Sequence, residues 1–86
     1  MIVTGDNGKL TAGGRMVAAL RMWRLETGPE GYRLEARLES PNRWLLTFAP
    51  AFDVALPVGS RTIYYQGVGV EVAENEVVIT GGERRG

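Results

Sequence analysis

The sequence predicts an all-β fold, a small antiparallel β-sandwich or barrel of about six or seven short strands. Three observations predict it. Tyr32 to Glu39 alternates apolar and charged residues without a break. Turn-forming residues recur at short intervals, at Asp6-Asn7-Gly8, Gly13-Gly14, Thr27-Gly28-Pro29-Glu30-Gly31, Ser40-Pro41-Asn42 and Gly81-Gly82. Between Arg61 and Thr80 the chain falls into short runs rich in Val, Ile and Tyr, the residues that fit a pleated, half-buried surface. A chain of 86 residues makes one domain, near the size at which little surface can be buried on folding. We expect residues 1–80 to form it, with 1–5 available as an assembly arm and 81–86 as a flexible Gly/Arg tail.

Taken in order, Met1 to Val3 reads as a short apolar strand that enters the Asp6-Asn7-Gly8 turn, with Lys9 to Ala12 returning beside it. Asn-Gly is a strong hairpin signal because a type I′ turn needs positive φ at both central residues. Ile2 and Val3 then form either an edge strand of their own domain or an arm that pairs with a neighbour.

The stretch from Thr4 to Leu25 carries a pattern of its own: T-G-x-N-G-x-L, a glycine turn, then V-A-x-x-R-x-W-x-L. The matching positions are Thr4, Gly5, Asn7, Gly8, Leu10, Gly14, Val17, Ala18, Arg21, Trp23 and Leu25. This pattern resembles the opening of small β-sandwich structural proteins of tailed-bacteriophage virions, including tail-tube-like proteins. The resemblance implies a virion structural protein, non-enzymatic, whose partners are other copies of itself or a phage capsid or tail protein. The Thr-Thr-x-Leu-Gly-Asp and Gly-Leu-Arg segments usual in those families do not follow Leu25. A tail-tube or tail-junction subunit and a capsid decoration protein therefore both stay open.

Met16 to Leu25 is ambiguous on periodicity. Met16, Ala19, Leu20 and Trp23 fit a helical face, whereas Val17, Ala19, Trp23 and Leu25 fit a strand interrupted by Arg21. The resemblance implies a strand, as do the strand-like segments that follow. Tyr32, Leu34, Ala36 and Leu38 share one face of the next strand, and Arg33, Glu35, Arg37 and Glu39 form a charged outer face that meets solvent or another subunit. Arg43 to Phe48 is read as a strand with Trp44, Leu46 and Phe48 on one side, so that Trp23 and Trp44 supply the two largest pieces of the core. The other reading of the two tryptophans is an exposed base-stacking platform beside Arg21 and Arg43.

Ala49 to Ser60 contains Pro50, Pro57 and Gly59 and is expected to be irregular, yet it carries Phe52, Val54, Leu56 and Val58. So apolar a loop either covers the end of the core or docks on another chain. Arg61 to Tyr65, Gly69 to Val72 and Glu76 to Thr80 read as three strands. The last two would form a hairpin at Glu74-Asn75, with Asn taking positive φ, and Tyr64 and Tyr65 would face opposite sides.

The chain has no cysteine and no histidine, which removes thiolate ligands, the commonest neutral metal ligand and the usual general base. Glycine pairs at Gly13-Gly14 and Gly81-Gly82 lack phosphate-loop spacing, and the acidic residues lack calcium-loop spacing. We expect no catalytic residue, no cofactor and no metal. Ten basic and ten acidic residues balance to zero net charge, which argues against sequence-independent nucleic-acid binding. No apolar run spans a bilayer and no signal peptide is evident, so the chain is expected to be soluble, made in the host cytoplasm and incorporated in a virion.

The functional expectation is therefore assembly through β-structure, with Ile2, Val3, Phe52, Val54, Leu56, Arg84 and Arg85 as its interface. The alternative is a monomeric small β-barrel that binds single-stranded nucleic acid or a peptide through its aromatic residues and arginines.

Overall fold

Asn7-Gly8 does not turn the chain. In the computed structural model, which describes residues 1–85, β1 (Ile2–Gly5) and β2 (Gly8–Ala12) lie end to end along one side of β3 (Arg15–Gly28). The register runs on unbroken from Ile2↔Glu26 and Gly5↔Trp23 to Gly8↔Leu20 and Leu10↔Ala18. Asp6 and Asn7 form a short break in the pairing between the two pieces and are clasped to β3. The Asp6 carboxylate accepts from the Met22 amide at 3.2 Å, and the Asn7 carbonyl accepts from Trp23 Nε1 at 2.8 Å. Met22 adopts φ 48° at this point. The type I′ hairpin forms instead at Gly13-Gly14, where φ is 56° and 79°.

β3 resolves the helix-or-strand ambiguity of Met16 to Leu25 in favour of a strand. After the Pro29-Glu30 turn, β4 (Gly31–Glu39) returns along its other side, with Leu34, Ala36 and Leu38 buried and Arg33, Glu35, Arg37 and Glu39 exposed.

Arg43–Phe48 is a helix, α1, and not the expected strand. Asn42 is its N-cap, its side-chain oxygen accepting from the Leu45 amide at 3.1 Å. That bond satisfies an amide which a helix otherwise leaves orphaned and which a strand would have given to a neighbour. The change of period sends Leu45 into the core and turns Trp44 and Phe48 outward.

The apolar segment expected to be irregular contains β5 (Phe52–Val58), paired with β2 through Asp53–Ala55 and with β6 along its length. Pro57 lies beyond the β2 pairing, with a ladder on one side, where its missing amide hydrogen costs no bond. The two strands expected in 61–72 are one long strand, β6 (Arg61–Ala73), bent at Gly67, whose φ is 63°. β7 (Glu76–Thr80) follows a turn in which Glu74, and not Asn75, takes positive φ. The C-terminal segment expected to be a mobile tail instead continues as β8 (Glu83–Arg85), collinear with β7 along β6; Gly86 lies outside the described residues. Gly81 and Gly82 both have φ 75°, and a Cβ at Gly82 would sit 2.2 Å from the Gln66 carbonyl oxygen.

The ladders close a ring: β2, β3, β4, β7, β6, β5 and back to β2. The protein is a closed six-stranded antiparallel barrel with β1 and β8 as additional strands. Two three-stranded meanders, residues 1–39 and 52–85, supply the two halves of the wall. Leu10, Leu20, Trp23, Leu25, Leu34, Val54, Leu56, Val77 and Ile79 fill it, each at most 1 % exposed. Among the described residues no polar or charged side chain is buried. The ring leaves outer edges unpaired at β1 and β8, each of which pairs on one side.

Candidate functional site

β4 and β5 stand on opposite sides of the ring, so the chain between them has to cross one end of the barrel. α1 makes that crossing. The Asn42 amide donates to the Val17 carbonyl at 2.7 Å, and Arg43 reaches the Glu74 carbonyl at 3.4 Å and the Asn75 side chain at 3.1 Å. With its N-terminal end tied to the rim and Leu45 inserted as the plug, the helix has one face left for solvent. On that face Trp44 and Phe48, one turn apart, are 64 % and 65 % exposed, with ring centroids 5.5 Å apart. Met16 and Val72 add exposed apolar surface at the same end. Glu71, Glu74 and Glu76 on the β6–β7 hairpin are exposed there, and none has a cationic partner within 4.0 Å among the described residues.

The opposite end has a different character. β1 begins there, β8 ends there, and the β5–β6 turn brings Arg61 in. Arg61, Thr62, Ile63 and Arg84 line a shallow recess, and neither arginine has an ion-pair partner among the described residues. Arg85 does: it pairs with Glu83 at 3.7 Å and donates to the Gln66 side chain at 2.7 Å. Met1 and Ile2 are the exposed apolar residues of this end.

Between the recess and the core, the Tyr32 and Tyr65 rings stack at a centroid distance of 3.8 Å, and the Tyr32 hydroxyl donates to the Gly81 carbonyl at 2.7 Å. That bond ties β4 to the joint between β7 and β8. Burial pushes the Tyr32 phenol well above its ordinary value of 10.0, with a smaller contribution from Tyr65. Because the folded state holds the proton more tightly, this stabilisation is complete below about pH 10, the unfolded value, and is lost as pH rises through the folded one. A Tyr32→Phe variant, lacking the hydrogen bond, should be less stable by about 1 kcal/mol at neutral pH. The gap should narrow above pH 10 in urea titrations; a gap unchanged up to pH 12 would refute the shift.

Of the residues expected to form an interface, the structure brings Ile2, Arg84 and Arg85 to the arginine end, all exposed. Val3 is half-buried against Leu25, and Phe52 is partly buried against the core. Val54 and Leu56 are 1 % and 0 % exposed inside the barrel, so they form its own core and not a contact surface. The segment reads as a loop because of its prolines, but its alternation at 52, 54, 56 and 58 is that of a strand. A period of two puts Trp44 and Phe48 on one inward face, whereas the helix turns both outward. Their i, i+4 spacing behind Asn42 is the signal that places them together outside.

Among the described residues, no group of three or more acidic side chains is placed to hold a metal ion, and no helix is long and apolar enough to cross a membrane. No protein-family model matches the chain, and comparison with curated proteins and with solved structures likewise gives no match.

Proposed function

We propose that this chain is a non-enzymatic structural component of a tailed-bacteriophage virion, working as an assembly subunit in the tail tube or tail junction or as a capsid decoration protein. The observation that carries the assembly reading is the Trp44–Phe48 pair, held outward on a helix fixed to the barrel rim. Adjacent large aromatics on a rigid support supply contact area at little entropic cost, and Trp is prominent among residues that dominate binding. The unpaired edges of β1 and β8 offer further places for a neighbouring strand. The resemblance over Thr4–Leu25 supplies the virion setting.

The test is absolute mass in solution across concentration for the wild type and for Trp44→Ser/Phe48→Ser, followed by imaging of the largest species. Losing a contact of about 2 kcal/mol should weaken assembly about 30-fold. Folding stability should change by less than about 0.5 kcal/mol per exposed site. Rings or tubes point to the tail. A monomer that gains mass only on a shell made by another chain points to decoration, and a wild type that does neither removes the assembly reading.

The exposure of Trp44 beside Arg43 favours a second reading, a binding module for single-stranded nucleic acid. It requires Trp44 emission to be quenched by an oligonucleotide, with a steep salt dependence. The three unpaired glutamates at that end oppose a polyanion, which is why we place this reading second.

A further inference from the structure

The two ends of the barrel complement each other. One presents Trp44 and Phe48 beside the unpaired carboxylates of the β6–β7 hairpin; the other presents Met1 and Ile2 beside the unpaired guanidinium groups of Arg61 and Arg84. We infer that copies of this chain associate head to tail, the α1 end of one molecule seated on the Arg61/Arg84 end of the next. The inference rests on the assembly reading above and names the partner and the surfaces.

Three features carry it. The first is the distribution of charge. The ion pairs Arg21–Glu39, Arg24–Glu26, Arg33–Glu35 and Arg85–Glu83 are satisfied within the molecule, whereas the three carboxylates of the β6–β7 hairpin at one end and the guanidinium groups of Arg61 and Arg84 at the other have no ion pair among the described residues. Three cations share the α1 end with those carboxylates: Arg15; Arg37, which lies opposite Glu76 in the β4–β7 register with no ion pair within 4.0 Å among the described residues; and Arg43, whose guanidinium is held by the neutral oxygens of Glu74 and Asn75. Glu30 is acidic at the arginine end.

The second feature is chemical fit. A guanidinium is attracted to an aromatic face, Trp most of all, so Arg61 and Arg84 suit Trp44 as well as the glutamates. The third is apolar complementarity, since each end carries exposed apolar side chains that gain by being covered together. Unlike charges on opposite ends of one molecule cannot satisfy each other in a monomer. They can in a heterologous contact, which closes into a ring or extends as a stack. The same ends placed like against like would bring glutamates onto glutamates, so the charges also set polarity.

The experiment is a charge exchange between the ends. Glu74→Arg/Glu76→Arg and Arg61→Glu/Arg84→Glu are made separately, all four positions being exposed, and each variant is first checked for an unchanged melting transition. Sedimentation across concentration should show assembly weakened at least tenfold in each variant alone and restored in an equimolar mixture, where each altered end meets its complement. Salt should weaken wild-type assembly.

Variants that each assemble like the wild type would overturn the head-to-tail contact and leave the assembly reading intact. So would two failing variants that their mixture does not rescue. A wild type that remains monomeric overturns the head-to-tail contact, and one that also gains no mass on a shell made by another chain overturns the assembly reading with it. One that instead binds an acidic peptide or an oligonucleotide through Arg61 and Arg84 overturns the contact by assigning that end to another ligand. Should a variant melt early, acrylamide quenching of the wild type decides the matter: Trp44 emission should become protected as concentration rises, and emission that stays equally quenchable in the assembled state overturns the contact.

Discussion

Replacement of Trp23 by alanine should cost about 4 kcal/mol, the middle of the range for removing a large buried aromatic. A domain of this length has a total stability of roughly 4 to 13 kcal/mol, so the loss takes between a third and all of it. The reasons lie in what Trp23 touches. Its side chain is 1 % exposed and reaches across to β1 and β2, where Nε1 donates to the Asn7 carbonyl at 2.8 Å. That bond spans the break between β1 and β2, so alanine would leave a cavity and also release the clasp that keeps two strand pieces in one register. Urea denaturation of Trp23→Ala, compared with Trp23→Phe, separates the two contributions. Phenylalanine keeps most of the volume and loses the donor, and should cost about 1 kcal/mol from the hydrogen bond in addition to a smaller packing loss. A midpoint for Trp23→Ala close to the wild type would show that the barrel does not depend on this residue.

Gly5→Ala should be the next most damaging change, although it adds a single methyl group. A Cβ at Gly5 would lie 2.3 Å from Cζ2 and 2.5 Å from Cε2 of Trp23. Those distances are far inside contact range, and the ring has nowhere to retreat because the core fills its other face. Overpacking of this kind costs typically 1 to 3 kcal/mol, and we expect about 3 kcal/mol here. For a domain of 60 to 100 residues that corresponds to a fall in Tm of roughly 12 to 24 °C. The double variant Gly5→Ala/Trp23→Phe should lose less than the two single losses combined, because the smaller ring vacates space that the methyl group needs. Additive losses would mean that the collision is relieved in some other way. Gly5 is thus required by the close approach of a side chain.

Trp44 provides the contrast. Both tryptophans follow apolar-looking patterns, and sequence alone places both in the core. For Trp23 this holds, but not through one unbroken period of two. Ala18 and Leu20 are buried where that period puts Ala19, and the irregularity at Met22 shifts the alternation so that Trp23 and Leu25 face the core. The ladders on both sides of β3 exclude the helical period. For Trp44 it fails because six residues are too few for period to decide, while the local signal, an Asn cap behind a proline, outweighs alternation. The β4 strand was fully legible, since its charged and apolar residues alternate over eight positions from Tyr32 to Glu39. The prolines misled at Ala49 to Ser60: Pro57 is tolerated because β2 is too short to pair with that part of β5. Asn7-Gly8 misled for a related reason. The dipeptide can turn, but the continuous register with β3 keeps the chain running on into β2, and the next glycine pair turns it. Of the candidate site, the arginines of the C-terminal segment were legible as exposed charge. The aromatic end was not, because it depends on the crossing from β4 to β5, and barrel closure is a property of strands far apart in sequence.

That closure has a kinetic side. Within each meander the neighbouring strands are joined by tight turns and can pair early, whereas the two remaining ladders join Lys9 to Ala55 and Leu34 to Ile79 and must wait for distant chain segments to meet. Until they do, each half is a sheet with its apolar face uncovered and its outer strands unsatisfied, the state in which β-proteins aggregate. The short α1 crossing limits that interval: by holding the two halves on one tether, it keeps the correct partner at a far higher local concentration than any other chain.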